Sequence, residues 1–243
     1  MVKLTIDGRE IHAKEGTMIL AAAREHNISI PSLCDAEEVA PYGACRLCSV
    51  EITTAGGRQR TVASCLYPVE EGLIVRTSSE RIDTNRRMLI SLLLSRCPEA
   101  EAIRQMAARL GVTEPRFPPQ TDNHKCILCA LCVRVCEEVV GVSAISLANR
   151  GTSRQMATPF NENFSEACIG CGSCAYICPT GAITVEENNG LRTIKWPHSQ
   201  MEFKMKKCSV CGKYWAPVKQ IEYIARISGT PPQDYAVCPD CRD

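Results

Sequence analysis

The sequence predicts an α+β chain made of small successive modules, on the strength of three observations. Sixteen of the 17 cysteines in this 243-residue chain fall into four groups with metal-ligand spacing. Only 5% of the residues are aromatic, and small domains with thin cores are commonly closed by cross-links or metals. The opening segment carries alternating strand and turn signals followed by helical spacing, so sheet and helix are both expected at the start.

The elements follow in order. Val2-Lys3-Leu4-Thr5-Ile6 alternates apolar and polar residues, Asp7-Gly8 is a hairpin signal, and Glu10-Ile11-His12-Ala13 reads as the returning strand. Thr17 is the expected N-cap of a helix over Met18 to His26, with Asn27 suited to its end. Strand, hairpin, strand and helix open a β-grasp ferredoxin, and Ser49–Ile52 and Leu73–Arg76 supply further strands. Residues 79–95 space apolar side chains as a helix does, and a second helix runs from Glu99 to Leu110, where Gly111 stops it. Pro115, Pro118 and Pro119 mark a linker. Residues 124–190 hold two similar cysteine-rich blocks, an internal duplication. The last segment begins with a strand over Leu191 to Trp196 and places a helix, Val218 to Ile227, between two C-x-x-C pairs. Four modules result: a [2Fe–2S] ferredoxin domain over 1–78, a short helical linker over 79–119, a two-[4Fe–4S] ferredoxin domain over 120–190, and a zinc-ribbon-like module over 191–243.

Cys34, Cys45, Cys48 and Cys65 form C-x10-C-x2-C-x16-C, a variant of the plant-type [2Fe–2S] pattern with a longer first gap. Gly43 and Ala44 are small, so the backbone can curl there and aim N–H groups at sulfur. Cys126, Cys129, Cys132 and Cys136, then Cys168, Cys171, Cys174 and Cys178 before Pro179, follow the bacterial two-cluster cadence. Three cysteines at i, i+3 and i+6 wrap one cubane, and the fourth reaches the other cluster. Cys126, Cys129, Cys132 and Cys178 are therefore expected on one [4Fe–4S] cluster, and Cys136, Cys168, Cys171 and Cys174 on the other. Gly170 and Gly172 ease the turns of the second block. Cys208, Cys211, Cys238 and Cys241 form two knuckles suited to one tetrahedral Zn2+, with mononuclear iron as the rival. Cys97 is left over and is expected to be a buried structural thiol.

The β-grasp opening, Ser32-Leu33-Cys34, Tyr42-Gly43-Ala44-Cys45-Arg46-Leu47-Cys48 and Cys65 resemble the amino-terminal [2Fe–2S] domain of the large iron–sulfur subunit of bacterial complex I. The same module occurs in multisubunit [FeFe]-hydrogenases and NAD-dependent formate dehydrogenases, whose relay domain the two-cubane pair resembles. The helix ending Leu92-Leu93-Leu94-Ser95 matches as well. That family then carries a histidine-ligated cluster in an H-x3-C-x2-C-x5-C site. Here Ser95-Arg96-Cys97-Pro98-Glu99 stands in its place, and one thiolate cannot hold a cubane.

What the resemblance implies is an electron-relay subunit of a cytoplasmic NAD(P)-linked oxidoreductase, with a flavin- and NAD(P)-binding subunit and a further catalytic subunit as partners, or a ferredoxin. Hydrogenase, formate dehydrogenase, aldehyde oxidoreductase and an electron-bifurcating transhydrogenase would all fit. No dinucleotide fingerprint, P-loop or catalytic triad gives the chain a catalytic site of its own. A freely diffusing ferredoxin is the alternative, but a net charge of +1 lacks the charged face such carriers use for encounter. An iron–sulfur regulator would need a basic recognition element, and no nucleic-acid partner is expected. The longest apolar run, Met88 to Leu94, is too short for membrane insertion. Residues 1–8 carry no export signal, so cytoplasmic thiols rather than disulfides are expected. His12, His26, His124 and His198 stand singly; His124, near Cys126, is expected to be solvated rather than to tune a cluster. Arg86-Arg87 reads as a solvated helix face or a subunit contact.

Overall fold

The computed structural model describes residues 1–119, 125–158 and 165–242. The chain divides into two compact units, Met1–Cys129 and Ala130–Asp243. The expectation for His124 lies outside the described residues.

In the first unit, β1 (Val2–Ile6) and β2 (Arg9–Ala13) pair antiparallel from Val2↔Ala13 to Ile6↔Arg9. The turn between them has both central residues left-handed, Asp7 at φ 47° and Gly8 at φ 78°. A two-residue hairpin needs that geometry so its twist matches the strands. β3 (Ser49–Thr53), β4 (Gln59–Ala63) and β5 (Ile74–Arg76) complete a sheet of order β2-β1-β5-β3-β4. β1 runs parallel to β5, and the other pairs are antiparallel. Val2, Leu4 and Ile6 alternate inward, as the period of two requires. They bury with Val50, Ile52 and Val75 beneath α1 (Ile19–Glu25), which contributes Ile19, Leu20, Ala22 and Ala23.

Thr17 does not cap α1. The N-cap is Met18, without a side-chain hydrogen bond. Thr17 instead takes part in backbone pairing, its carbonyl accepting from Val69 N–H. The first helical N–H groups are satisfied from a distance, Ile19 by the Tyr67 carbonyl and Leu20 by the Ser64 carbonyl. Tertiary acceptors thus replace the local cap that such donors otherwise need. Asn27, at φ 58°, ends the helix, with Ile28 N–H closing on the Ala23 carbonyl.

α2 (Glu80–Arg96) is capped by Ser79, whose hydroxyl accepts from Ile82 N–H at 3.3 Å. α3 (Glu101–Arg109) ends at Gly111, φ 70°, with Val112 N–H on the Ala107 carbonyl. Ile90, Leu94, Ala100 and Ile103 of this pair pack with Leu33 and Leu47. That second core backs the loop carrying Cys34, Cys45 and Cys48.

In the second unit, α4 (Leu131–Arg134) widens into a π-helical turn over Val135–Val139, and α5 (Ser173–Tyr176) starts the second cysteine block's helix. Between them β6 (Ser146–Ala148) and β7 (Gln155–Ala157) form a small hairpin. A four-stranded sheet follows in the order β11-β10-β9-β8, from β8 (Thr184–Asn188), β9 (Leu191–Trp196), β10 (Ser199–Lys207) and β11 (Tyr214–Pro217). β9 has the bounds expected from sequence. Its partner β8 precedes it across an Asn189–Gly190 turn with both residues left-handed. α6 (Val218–Ser228) buries Ile221 and Ala225. No described helix is long and apolar enough to cross a membrane.

Candidate metal centres

The first centre is assembled by β3 and β4. Cys48 immediately precedes β3, Cys65 follows β4 by two residues, and the pairing Ser49↔Ala63 draws their sulfurs to 3.4 Å. Ser64 anchors this corner, its hydroxyl donating to the Cys48 carbonyl at 2.8 Å. Cys45 N–H donates to Cys34 Sγ at 3.3 Å, and Ala44 N–H points at the same sulfur. Gly43, φ 72°, makes that curl possible, and Leu66 packs directly onto it. The four thiols therefore sit as two pairs, Cys34 with Cys45 and Cys48 with Cys65.

Within each pair the sulfurs share a hydrogen bond, so one ionises easily and the other holds its proton. The Cys34 thiol stabilises Cys45 as thiolate, lowering its pKa to about 6, and Cys65 does the same for Cys48, also to about 6. Cys34 and Cys65 are pushed far upward by those same hydrogen bonds and by burial. Two sulfurs on one tetrahedral metal, at metal–sulfur distances of ~2.3 Å, lie about 3.8 Å apart. The 3.4 Å pair needs only a slight opening to take one. The donor set fits a two-iron cluster, one pair to each iron.

Arg86 departs from the expected solvated face. It is 5% exposed. Its Nε donates to the Leu47 carbonyl at 3.0 Å and its Nη2 to the Ser49 carbonyl at 2.9 Å, on either side of Cys48. Asp83 balances the charge at 3.7 Å. Ile82, Arg86 and Ile90, four residues apart, form the buried stripe of α2, and that spacing is the sequence signal for the arginine. Arg87 is exposed.

The second centre lies wholly within the second unit. Cys136, Cys168, Cys171 and Cys174 line one apolar cavity together with Ile194 and Trp196 of β9. Cys136 Sγ accepts from Ala144 N–H at 3.3 Å. Burial pushes the Cys174 thiol up to about 12 and Cys168 to about 11, and raises Cys136 as well. Such thiols stay protonated until a cation replaces their protons. One cysteine of the first block thus joins three of the second in the described geometry, and the donor set fits a cubane.

The sheet braces this centre. Arg192 of β9 donates to the Gly170 and Cys171 carbonyls at 3.0 and 3.3 Å, with Glu187 holding its other nitrogen at 2.6 Å. Gly170, φ 73°, lies under the Phe203 ring of β10, where a Cβ would come within 2.6 Å. Gly170→Ala is therefore expected to destabilise the second unit by about 1–3 kcal/mol. Chemical unfolding of the iron-loaded protein checks it, with Gly181→Ala, whose Cβ meets nothing within 4 Å, separating the φ contribution from the clash.

The first cysteine block repeats the local backbone of the second. Leu128 and Ala130 are left-handed at φ 54° and 62°, and the matching positions of the other block are Gly170 and Gly172 at φ 73° and 84°. The duplication thus extends to backbone conformation, and the first block holds it without glycine, which costs strain. Cys126 and Cys129 belong to the first unit, Cys132 and Cys178 to the second. Cys97 is buried among the α2–α3 side chains, its thiol pushed up to about 12 chiefly by desolvation.

In the third centre the sulfurs of Cys208, Cys211, Cys238 and Cys241 all lie within 4.8 Å of one another. Cys211 and Cys238 stand 3.8 Å apart, the edge of a tetrahedron around a metal ion. Ser209 N–H on the Ala236 carbonyl ties the two knuckles together. Cys208 Sγ accepts from the N–H groups of Cys238 and Val210 at 3.3 and 3.4 Å, and these donors hold it as thiolate, at about 6.

Comparison with known proteins places iron–sulfur domain families along the chain. Residues 1–80 match the model of the 2Fe-2S iron-sulfur cluster binding domain, 119–184 that of the NADH-quinone oxidoreductase subunit 3 ferredoxin-like domain, and 167–213 that of the 4Fe-4S dicluster domain. The chain is 34% identical over 253 residues to the NADPH-Fe(3+) oxidoreductase subunit alpha of Geobacter sulfurreducens, covering 93% of this chain and 28% of that protein. It is 33% identical over 217 residues to the NADP-reducing hydrogenase subunit HndD of Solidesulfovibrio fructosivorans, covering 77% and 36%. A crystal structure of NAD+-reducing [NiFe]-hydrogenase in the H2-reduced state superposes with TM-score 0.63 at 27% identity, over 74% of this chain and 85% of that one. The chain spans between 28% and 36% of the length of these two curated relatives.

Proposed function

The chain carries a 2Fe-2S cluster-binding domain and ferredoxin-like 4Fe-4S domains of the kind found in iron–sulfur subunits of NAD(P)-linked oxidoreductases, and from that premise we propose that it is an electron-relay subunit. Its reading is one [2Fe–2S] cluster on Cys34, Cys45, Cys48 and Cys65, and one [4Fe–4S] cluster on Cys136, Cys168, Cys171 and Cys174. For a second cubane on Cys126, Cys129, Cys132 and Cys178 the support is the cysteine cadence. When bound, these clusters accept and pass single electrons at potentials tuned by charge, hydrogen bonds and exposure. The chain's own residues shield them: Cys48 and Cys65 are at most 1% exposed. The observation that carries the reading is the convergence of four thiols from two distant blocks on one apolar cavity.

Zinc on Cys208, Cys211, Cys238 and Cys241 would fasten β10 to the carboxy-terminal knuckle. The partners in this reading are a flavin- and NAD(P)-binding subunit and a catalytic subunit, in the cytoplasm. Anaerobically purified protein is expected to contain about ten irons and one zinc per chain. Elemental and sulfide analysis checks this, and an iron count near six would remove one cubane. Affinity purification from the source cells is expected to bring down a flavoprotein in fixed stoichiometry; recovery of the chain alone, exchanging electrons with unrelated partners, would overturn the subunit reading.

A further inference from the structure

Trp196 closes β9 beside the second thiol cavity. Its side chain is 7% exposed, packed in the core that also holds Cys136 and Cys174. The indole Nε1 is sealed from solvent and has no hydrogen-bond partner. A buried N–H left unpaired is costly, and native folds rarely keep one without a reason. The ring lines the cavity of Cys136, Cys168, Cys171 and Cys174, whose accessible lining is otherwise apolar. Arg192, Ile194 and Trp196 alternate along β9 and so share one face of the strand. The first of them holds the Gly170 and Cys171 carbonyls, and the other two line the cavity, so the sheet fixes where the indole sits.

We propose that the Trp196 indole N–H is a hydrogen-bond donor to the sulfur of the cluster held by Cys136, Cys168, Cys171 and Cys174, and that it raises this cluster's reduction potential. The inference rests on the proposed cubane at those four cysteines. Reduction adds negative charge that is spread over sulfur, so an N–H aimed at sulfur favours the reduced state. The sheet of the carboxy-terminal region thereby takes part in setting the relay's energetics.

Two measurements on the full-length, anaerobically purified protein test it. Trp196→Phe keeps most of the ring and removes the donor. Redox titration followed by electron paramagnetic resonance should show the reduced-to-oxidised ratio of this cluster falling about tenfold at a given potential, 59 mV downward for a one-electron couple. The signal is assigned by its absence in Cys136→Ser. In protein labelled with 15N-indole tryptophan, pulsed resonance should show a nitrogen coupling that survives Trp215→Phe and disappears in Trp196→Phe, these being the two tryptophans. An unchanged ratio together with no 15N coupling overturns the proposal. Should Trp196→Phe fail to hold the cluster, the iron count reports it and the labelled Trp215→Phe protein decides: coupling present supports the donor, coupling absent refutes it. Unsubstituted protein lacking this cubane's iron would remove the cluster reading, and the tryptophan's role with it.

Discussion

Cys136→Ser is expected to remove an entire cubane, although Cys136 sits in the other cysteine block from the three ligands it would strand. The iron count should fall by about four of ten, leaving the [2Fe–2S] signal intact. The cause is the placement of Cys136 in the same cavity as Cys168, Cys171 and Cys174. Cys136 and Cys174 are buried and the other two partly so, and desolvation holds Cys136, Cys168 and Cys174 protonated above neutral pH. A serine hydroxyl there is a harder ligand, poorly suited to replace a thiolate. Metal binding is folding free energy in such sites, so unfolding of the second unit should also move to lower denaturant. Iron analysis and resonance spectra after dithionite reduction check the result. Loss instead of a cluster that leaves Cys168, Cys171 and Cys174 loaded would show that the blocks do not exchange their fourth ligands. Cys97→Ala is the control, and it should leave every cluster signal in place.

Arg86→Met carries the second large effect. The guanidinium is buried and donates to the Leu47 and Ser49 carbonyls, which flank Cys48. Hydrogen bonds from a charged donor contribute about 1.5–3 kcal/mol each, and a buried carbonyl left unpaired costs a further ~1–3 kcal/mol. Partial relaxation brings the expected net loss to about 3 kcal/mol, or roughly 10–20 °C in the unfolding midpoint of a domain this size. Burial disfavours the Arg86 charge, and Asp83 and the Cys48 thiolate offset that in part, so the substitution also removes a positive charge that favours the Cys48 thiolate. Reduction makes the cluster more negative, so its potential should fall as well. Arg86→Lys keeps the charge but not the two-pronged donor, and should restore the potential more fully than the stability. A wild-type midpoint in Arg86→Met would mean that the two carbonyls find other donors and that the arginine is incidental.

The sixteen candidate ligand positions were legible because C-x-x-C chelation is local: two thiolates three residues apart can meet one ion from a single turn. The same holds for the hairpin at Asp7-Gly8 and for the end of α1 at Asn27, where backbone conformation alone selects the residue. β10 was also within reach, since Met201-Glu202-Phe203-Lys204-Met205 alternates with period two and buries Phe203 and Met205. Thr17 shows the opposite case. A local capping signal was present, but the α1 donors found carbonyls at Ser64 and Tyr67 instead.

Cysteine spacing in the sequence marked out which sulfurs are candidate ligands, and local patterning gave the opening hairpin, α1, α2, α3, α6 and β9. Those properties follow from spacing over a few residues. Only folding placed what surrounds each candidate centre: Arg86 reaches Leu47 across 39 positions, and Arg192 reaches Gly170 across 22. No periodicity encodes contacts at that separation. They exist because folding one apolar face of α2 or β9 inward carries a polar group in with it, and that group must find a buried partner or a cluster to satisfy it.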